Sequence, residues 1–186
     1  MESRSPQDYF DTGMALLATG GVGAVTIARL CGELGVTKGS FYHHFRGVED
    51  FRSQLLAHWA AEGELQLLSA AASEPNPVRR LDVIRELGIT MNHEAEVAIR
   101  AWSRTDSEAW SVREKVDAAR ERMVAAAYQE VGVPADVASL LGRLAVAVLV
   151  GAQHRAERTD RDALREIYSH LQEMTQKIYL ASPPKA

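Results

Sequence analysis

The stretch GVTKGSFYHHF, Gly35–Phe45, places two phenylalanines, a tyrosine, a lysine and two adjacent histidines directly after a glycine turn. Thr26 is a natural N-cap for a helix carrying Ile27, Leu30, Cys31 and Leu34 on one face. Gly35 supplies the left-handed residue that ends it, and Thr37 caps a short helix running through Phe45. Two helices joined by LGV form a helix-turn-helix candidate. Phe41 and Phe45 are four apart and share a face. With Val36 they can pack on Ile27, Leu30, Leu34 and the preceding helix. Thr37, Lys38, Tyr42 and His43 then face outward, and this front of hydroxyls, ammonium, phenol and imidazole suits a DNA major groove. Gly39 and Ser40 keep the helix start small enough to approach bases, and its free N–H groups attract phosphate.

Outward from this stretch, helical spacing dominates and no strand-like alternation persists, so the expected fold is all-α, with about nine helices. The first helix is read from Pro6 to Ala18, with Phe10, Gly13, Met14 and Leu17 on one face, and TGGVG breaks it. After Gly47 a long helix covers Val48–Ser73. SEPNPVRR, with Pro75 and Pro77, is the clearest later boundary. Helices at about Val78–His93, Glu94–Arg104, Ser107–Val131, Ala135–Glu157 and Arg161–Leu180 follow, and the tail SPPKA frays. No internal repeat or low-complexity tract is found.

Composition sets the class. The 186 residues are 46% hydrophobic and 25% charged, which describes an ordinary globular chain. The opening residues MESRSPQDYF have no apolar core of a signal peptide. The run Leu144–Ala152, with Arg143, His154 and Arg155 close by, is too short to span a bilayer. A soluble cytoplasmic protein is expected. Cys31 is the single cysteine, so neither an intramolecular disulfide nor a cysteine-rich zinc site can form. A net charge of −4 argues against coating nucleic acid by bulk charge. Between Thr26 and Arg46, however, Arg29, Lys38 and Arg46 face the single carboxylate of Glu33, a local net charge of +2.

Gly20–Phe51, GGVGAVTIARLCGELGVTKGSFYHHFRGVEDF, resembles the N-terminal domain of tetracycline-repressor-type (TetR family) regulators. The shared pattern is a glycine-led loop, a threonine opening the second helix, the string GV-Thr/Ser-x-Gly-Thr/Ser-aromatic-Tyr-x-His/Tyr-Phe, and an acidic start to the fourth helix. The resemblance implies a DNA-binding domain over residues 1–50 and a ligand-binding and dimerisation domain over residues 51–186. It implies a homodimer on a palindromic operator, usually a repressor, released by a small-molecule effector. Carried over by position, Thr26 would cap the second helix and touch a phosphate. Thr37, Lys38 and Ser40 would face bases or phosphates, Tyr42 a phosphate, and His43 a base edge or phosphate. His44 would sit at the groove rim or pack on the first helix. The sequence departs from the pattern in RGVED, where Val48 stands in place of the family's lysine and Gly47 in place of its cap. Arg46 could supply the missing phosphate contact. Asp8 and Asp11 replace the basic residues usual in the first helix.

In the last helix Leu164, Ile167, Leu171, Met174 and Ile178 repeat at spacings of three and four, a seam for a partner helix. In the helix before it, Gly142, Ala145, Leu149 and Ala152 form a stripe of mostly small residues where another helix could approach. Two such helices from each of two chains make a four-helix interface. The alternative is that both stripes pack inside one subunit. A pocket for a partly apolar effector is expected among His58, Trp59, Met91, Arg100, Trp102, Trp110, Tyr128 and His154, with Arg100 or His154 holding a polar or anionic end. Each of these also suits ordinary core packing. The segment IRAWSRTD, Ile99–Asp106, resembles one found in the effector domain of a large TetR subgroup.

No enzymatic constellation is found, and no cofactor or metal is expected. His43 and His44 are about 100° apart on a helix and do not converge on one metal. His154 and Glu157 share a face but lack a third ligand. Gly20, Gly21 and Gly23 follow no strand, so they form no dinucleotide fingerprint. The rival to a DNA-binding regulator is a protein-interaction adaptor with a degenerate helix-turn-helix, a reading motivated by Val48 and the acidic first helix.

Overall fold

The computed structural model describes residues 4–155 and 158–179. Among these, nine α-helices and one 3-10 turn account for the regular structure, with no strand. They are α1 (Pro6–Gly20), the turn Val22–Ala24, α2 (Ile27–Leu34), α3 (Lys38–His44), α4 (Val48–Ser73), α5 (Pro77–Thr90), α6 (His93–Trp102), α7 (Ser107–Glu130), α8 (Ala135–Arg155) and α9 (Arg161–Tyr179). The expected helix ends at Glu157 and Leu180, and the tail SPPKA, lie outside the described residues.

Side-chain caps fix most of the starts. Ser5 and Asp8 form a reciprocal capping box at α1. Asn76 accepts from the amides of Val78 and Arg79, with Pro77 opening α5. The expected junction at His93–Glu94 is corrected to Met91–Asn92. There the Asn92 side chain accepts from the Ala95 amide at 3.1 Å, so a new helix begins at His93, which is itself buried.

By packing, the chain forms two compact units. The first comprises Met1–Glu62 and Asn92–Lys115, and the second Gly63–Met91 and Val116–Ala186. Helices α4 and α7 therefore each serve both units. The core of the first unit is aromatic. Tyr9, Phe41 and Phe51 are fully buried, and the Tyr9 ring meets Phe41 and Phe45 edge-on at 5.9 and 5.4 Å. Around them lie Leu17, Val25, Leu30, Leu55, Leu56 and Ile99.

The second unit has an aliphatic core built on Leu81, Ile84, Tyr128, Ala138 and Leu141, and a smaller cluster of Ile89, Leu149 and Leu164. Helices α7 and α8 meet at Gly142, where an added Cβ would lie 2.3 Å from the Glu121 carbonyl oxygen. Polar ties surround this core. Arg165 grips Glu86 through two bonds of 3.2 Å, and Arg80 pairs with Glu130. The Arg165 guanidinium holds the Glu86 carboxyl below its ordinary range.

Helix α8 is long and apolar enough, by length and composition, to cross a membrane, which the short run Leu144–Ala152 alone does not suggest. A core helix of a folded protein passes the same test.

Candidate nucleic-acid interface and effector cavity

The helix-turn-helix is set by one left-handed residue and two threonine caps. Gly35 has φ +66° and ψ 34°, a conformation that disfavours any side chain. Its amide reaches the Gly32 carbonyl at 3.2 Å, and that of Val36 reaches Cys31 at 3.0 Å. Thr26 Oγ1 accepts from the Arg29 amide and Thr37 Oγ1 from the Ser40 amide. Each hydroxyl thus spends an acceptor site on the cap and keeps its O–H to donate, as a phosphate contact requires.

Helix α3 has the two faces that its spacing implies. Phe41 and Phe45 are 0% and 2% exposed, whereas Tyr42 is 57% exposed. Thr37, Lys38, Gly39, His43 and Arg46 are also exposed, and Thr26, Ser40 and His44 are half-buried. The outer face is therefore a continuous set of donors over an aromatic back.

Ser40 and His44 carry partners within the fold. The Tyr9 hydroxyl donates to the Ser40 hydroxyl at 3.0 Å. His44 Nε2 lies 2.9 Å from the Arg4 carbonyl oxygen, so that nitrogen carries the proton, and its ring tilts against Tyr9. The first helix thus bears on the recognition helix at two points. The Arg46 amide donates to Asp50 at 2.8 Å and holds that carboxyl below its ordinary range. Val48 is half-buried, and Glu49 and Asp50 occupy the first turn of α4.

Two residues that the sequence reading passed over organise this region. One is Tyr9. The other is Arg52, whose Nη2 donates to the carbonyls of Val22 and Val25 at 3.1 and 2.9 Å and fastens the loop before α2 to α4. Their signal in the sequence is weak, because Tyr9 reads as one aromatic among several and Arg52 as an ordinary i,i+3 partner of Glu49, with which it does pair at 2.7 Å.

A cavity of about 100 Å³ lies within the second unit. Leu81, Ile84, Leu87, Val124, Val146, Leu149 and Leu171 form apolar walls, and Arg85, Arg120, Tyr128, Tyr168 and Gln172 bring polar groups. Burial raises the Tyr128 phenol above its ordinary value, opposed by Thr175 and the charge of Arg85. Burial likewise raises Tyr168, whose hydroxyl donates to the Ala145 carbonyl at 2.8 Å. Both phenols therefore remain protonated donors at neutral pH.

Of the eight residues read as ligand contacts, the structure brings Met91 and Tyr128 to this cavity. Five belong to the first unit. His58 stacks on Phe10 at 4.7 Å, and the Trp59 indole donates to the buried Glu96 carboxylate at 2.9 Å. Trp102 is buried, Arg100 is half-buried, and Trp110 is 54% exposed. His154 is exposed on α8, its Nδ1 against the Val150 carbonyl.

The stripe on α8 read as a dimer face points inward. Gly142 packs on α7, Ala145 and Leu149 line the cavity, and Ala152 packs beside Leu149 and Leu164. The exposed face of α8 instead carries Leu140, Leu144, Ala147 and Gly151. The α9 seam divides. Leu164 is buried and Leu171 lines the cavity, while Ile167, Met174 and Ile178 are exposed.

Residues 10–54 match the family model described as bacterial regulatory proteins, tetR family. Comparison with curated proteins returns no match. Among solved structures, the chain is similar to a putative transcriptional regulator from Saccharomonospora viridis in complex with choline, with a TM-score of 0.77 and 16% identity over 92% of this chain and 97% of that one. A TetR-family transcriptional regulator from Streptomyces coelicolor aligns with a TM-score of 0.76 and 17% identity, over 94% of this chain and 90% of that one. A TetR transcription regulator from Haloarcula marismortui aligns with a TM-score of 0.76 and 16% identity, over 91% and 96%. These identities carry the fold, and the matched segment Phe10–Gln54 contains the helix-turn-helix described above. Residues 10–54 thus match the tetR family of bacterial regulatory proteins, and the chain as a whole shares the fold of the regulators above.

Proposed function

We propose that the protein is a cytoplasmic, ligand-responsive repressor that binds a palindromic operator as a homodimer and is released from it by a small molecule. The observation that carries this reading is the front of α3, where Thr37, Lys38, Tyr42 and His43 are exposed over the buried Phe41 and Phe45. We assign DNA binding to residues 1–50 and effector binding and dimerisation to residues 51–186. On this assignment Lys38, His43 and Thr37 meet bases or phosphates, and Tyr42, Thr26 and Arg46 meet phosphates. Ser40 and His44 serve mainly to hold α3 on α1.

The exposed apolar residues of α8 and α9, among them Leu140, Leu144, Ile167, Met174 and Ile178, support the homodimer. A second copy covers them as a four-helix interface, and a twofold protein matches a twofold operator. The cavity of the second unit supports an effector site, as does the small molecule held by the Saccharomonospora viridis regulator. Release is a population shift. The effector acts by its differential affinity for the DNA-competent and DNA-incompetent states.

One observation favours a second reading. Asp8 and Asp11 on α1 and Glu49 and Asp50 at the start of α4 flank the helix-turn-helix with negative charge, and Val48 offers no cation. A protein-interaction adaptor without sequence-specific DNA binding tolerates this pattern. Selection of bound duplexes from a random DNA pool separates the two. Enrichment of a palindrome supports the regulator, and no enrichment even at low salt supports the adaptor.

A further inference from the structure

We propose that the cavity of the second unit takes a small organic anion, an apolar body bearing one carboxylate; this rests on the effector reading above. Two guanidinium groups, Arg85 and Arg120, line the cavity, and none of its lining residues is a carboxylate.

Arg85 offers the more specific contact. Its Nη1 donates to Gln172 Oε1 at 3.1 Å and lies 3.2 Å from Asp82 Oδ1. The other edge of the guanidinium, Nε with Nη2, is the one that pairs side-on with a carboxylate. Nε is buried and has no hydrogen-bond partner among the described residues. The nearby Glu86 carboxylate stands 4.0 Å from Nε, too far to accept, and is held by Arg165. The guanidinium charge is already shared with Asp82, but a buried N–H donor without an acceptor is costly, and on this proposal a ligand carboxylate taken up beside Arg85 supplies that acceptor.

The phenols of Tyr128 and Tyr168, protonated and buried, tolerate an anion nearby. An ammonium ligand such as choline would meet the guanidinium groups first, since the carboxylates that pair with them, Asp82 and Asp117, do not line the cavity. The apolar walls and the size of the cavity suit a body no larger than about one aromatic ring, since an apolar cavity of comparable size accepts benzene.

The test is isothermal titration of the full chain with benzoate, hexanoate, their neutral amides and choline. The expected result is binding of at least one carboxylate, with its amide at least about tenfold weaker and choline weaker still. Arg85→Gln should reduce carboxylate affinity to that of the amide, and Arg85→Lys should restore part of it. Melting temperature and helicity report whether each variant folds. If Arg85→Gln does not fold, the carboxylate-to-amide ratio of the wild type decides. Amide or choline binding as tight as carboxylate, or no binding by either carboxylate, overturns the assignment. DNA affinity read on the same preparation keeps the two readings apart. Carboxylate binding that leaves DNA affinity unchanged upholds the anion site and refutes the effector role. An enriched palindrome without carboxylate binding refutes the anion site alone.

Discussion

The Tyr9 hydroxyl donates to the Ser40 hydroxyl at 3.0 Å, and this bond joins the first helix to the recognition helix across 31 residues of sequence. The Tyr9 ring is fully buried against Phe41 and Phe45, so its position is set by packing and the hydroxyl follows. Tyr9→Phe keeps the packing and deletes the bond. It should lower stability by about 0.5–1.5 kcal/mol in equilibrium urea unfolding. No change would show that water replaces the bond without loss.

The two aromatic neighbours in α3 should respond in opposite ways. Phe41→Ala removes a fully buried ring and should cost about 3–5 kcal/mol. Tyr42→Ala trims an exposed one and should stay within about 0.5 kcal/mol of the wild type. Thermal melts of both variants check this. A large loss for Tyr42→Ala would mean that the phenol packs inward.

Gly142 is fixed by close approach. An added methyl would meet the Glu121 carbonyl oxygen at 2.3 Å, and backbone cannot give way as a flexible side chain can. Gly142→Ala should therefore destabilise by about 1–3 kcal/mol, although alanine is the better helix former. A stabilised variant would show that α7 and α8 can separate at little cost.

The exposed α8 face predicts the oligomeric state. Light scattering should give twice the 20.4 kDa chain mass for the wild type. Leu144→Glu, placing a carboxylate on the face with Leu140, should give single-chain mass with unchanged helicity. A dimer that survives this change, and a matching one at Met174, would locate the interface elsewhere.

Much of this architecture was legible in the sequence because caps and glycines mark it. Thr26, Gly35 and Thr37 define the helix-turn-helix, and the phase of Phe41 and Phe45 separates its back from its front. The start of α6 was less legible, because Asn92 sits inside a continuous helical pattern and reveals itself as a cap only through its bond to Ala95. The face of α8 could not be read from periodicity. From Leu140 to Ala152 every residue but Arg143 is apolar or glycine, so no polar phase marks the outside. The ligand candidates were chosen by residue type, and most fell in the first unit. For His58, Trp59 and Trp110 the reason is that α4 and α7 each contribute to two packing units, and Arg100 and Trp102 follow from α6 belonging to the first, which hydropathy along a helix does not signal. Nothing in the sequence sets Arg85 and Arg120 apart from surface charges, and their position on the cavity wall comes from tertiary packing.

On the proposed function, the outer face of α3 reads DNA. Its most direct test is random-pool selection at two salt concentrations, run in parallel with the wild type and with a Lys38→Ala/Tyr42→Ala double variant of equal melting temperature. The wild type should enrich a palindrome and the variant should lose it, with binding weaker at the higher salt as phosphate contacts require. Equal enrichment by both proteins, or none by the wild type at low salt, would contradict it.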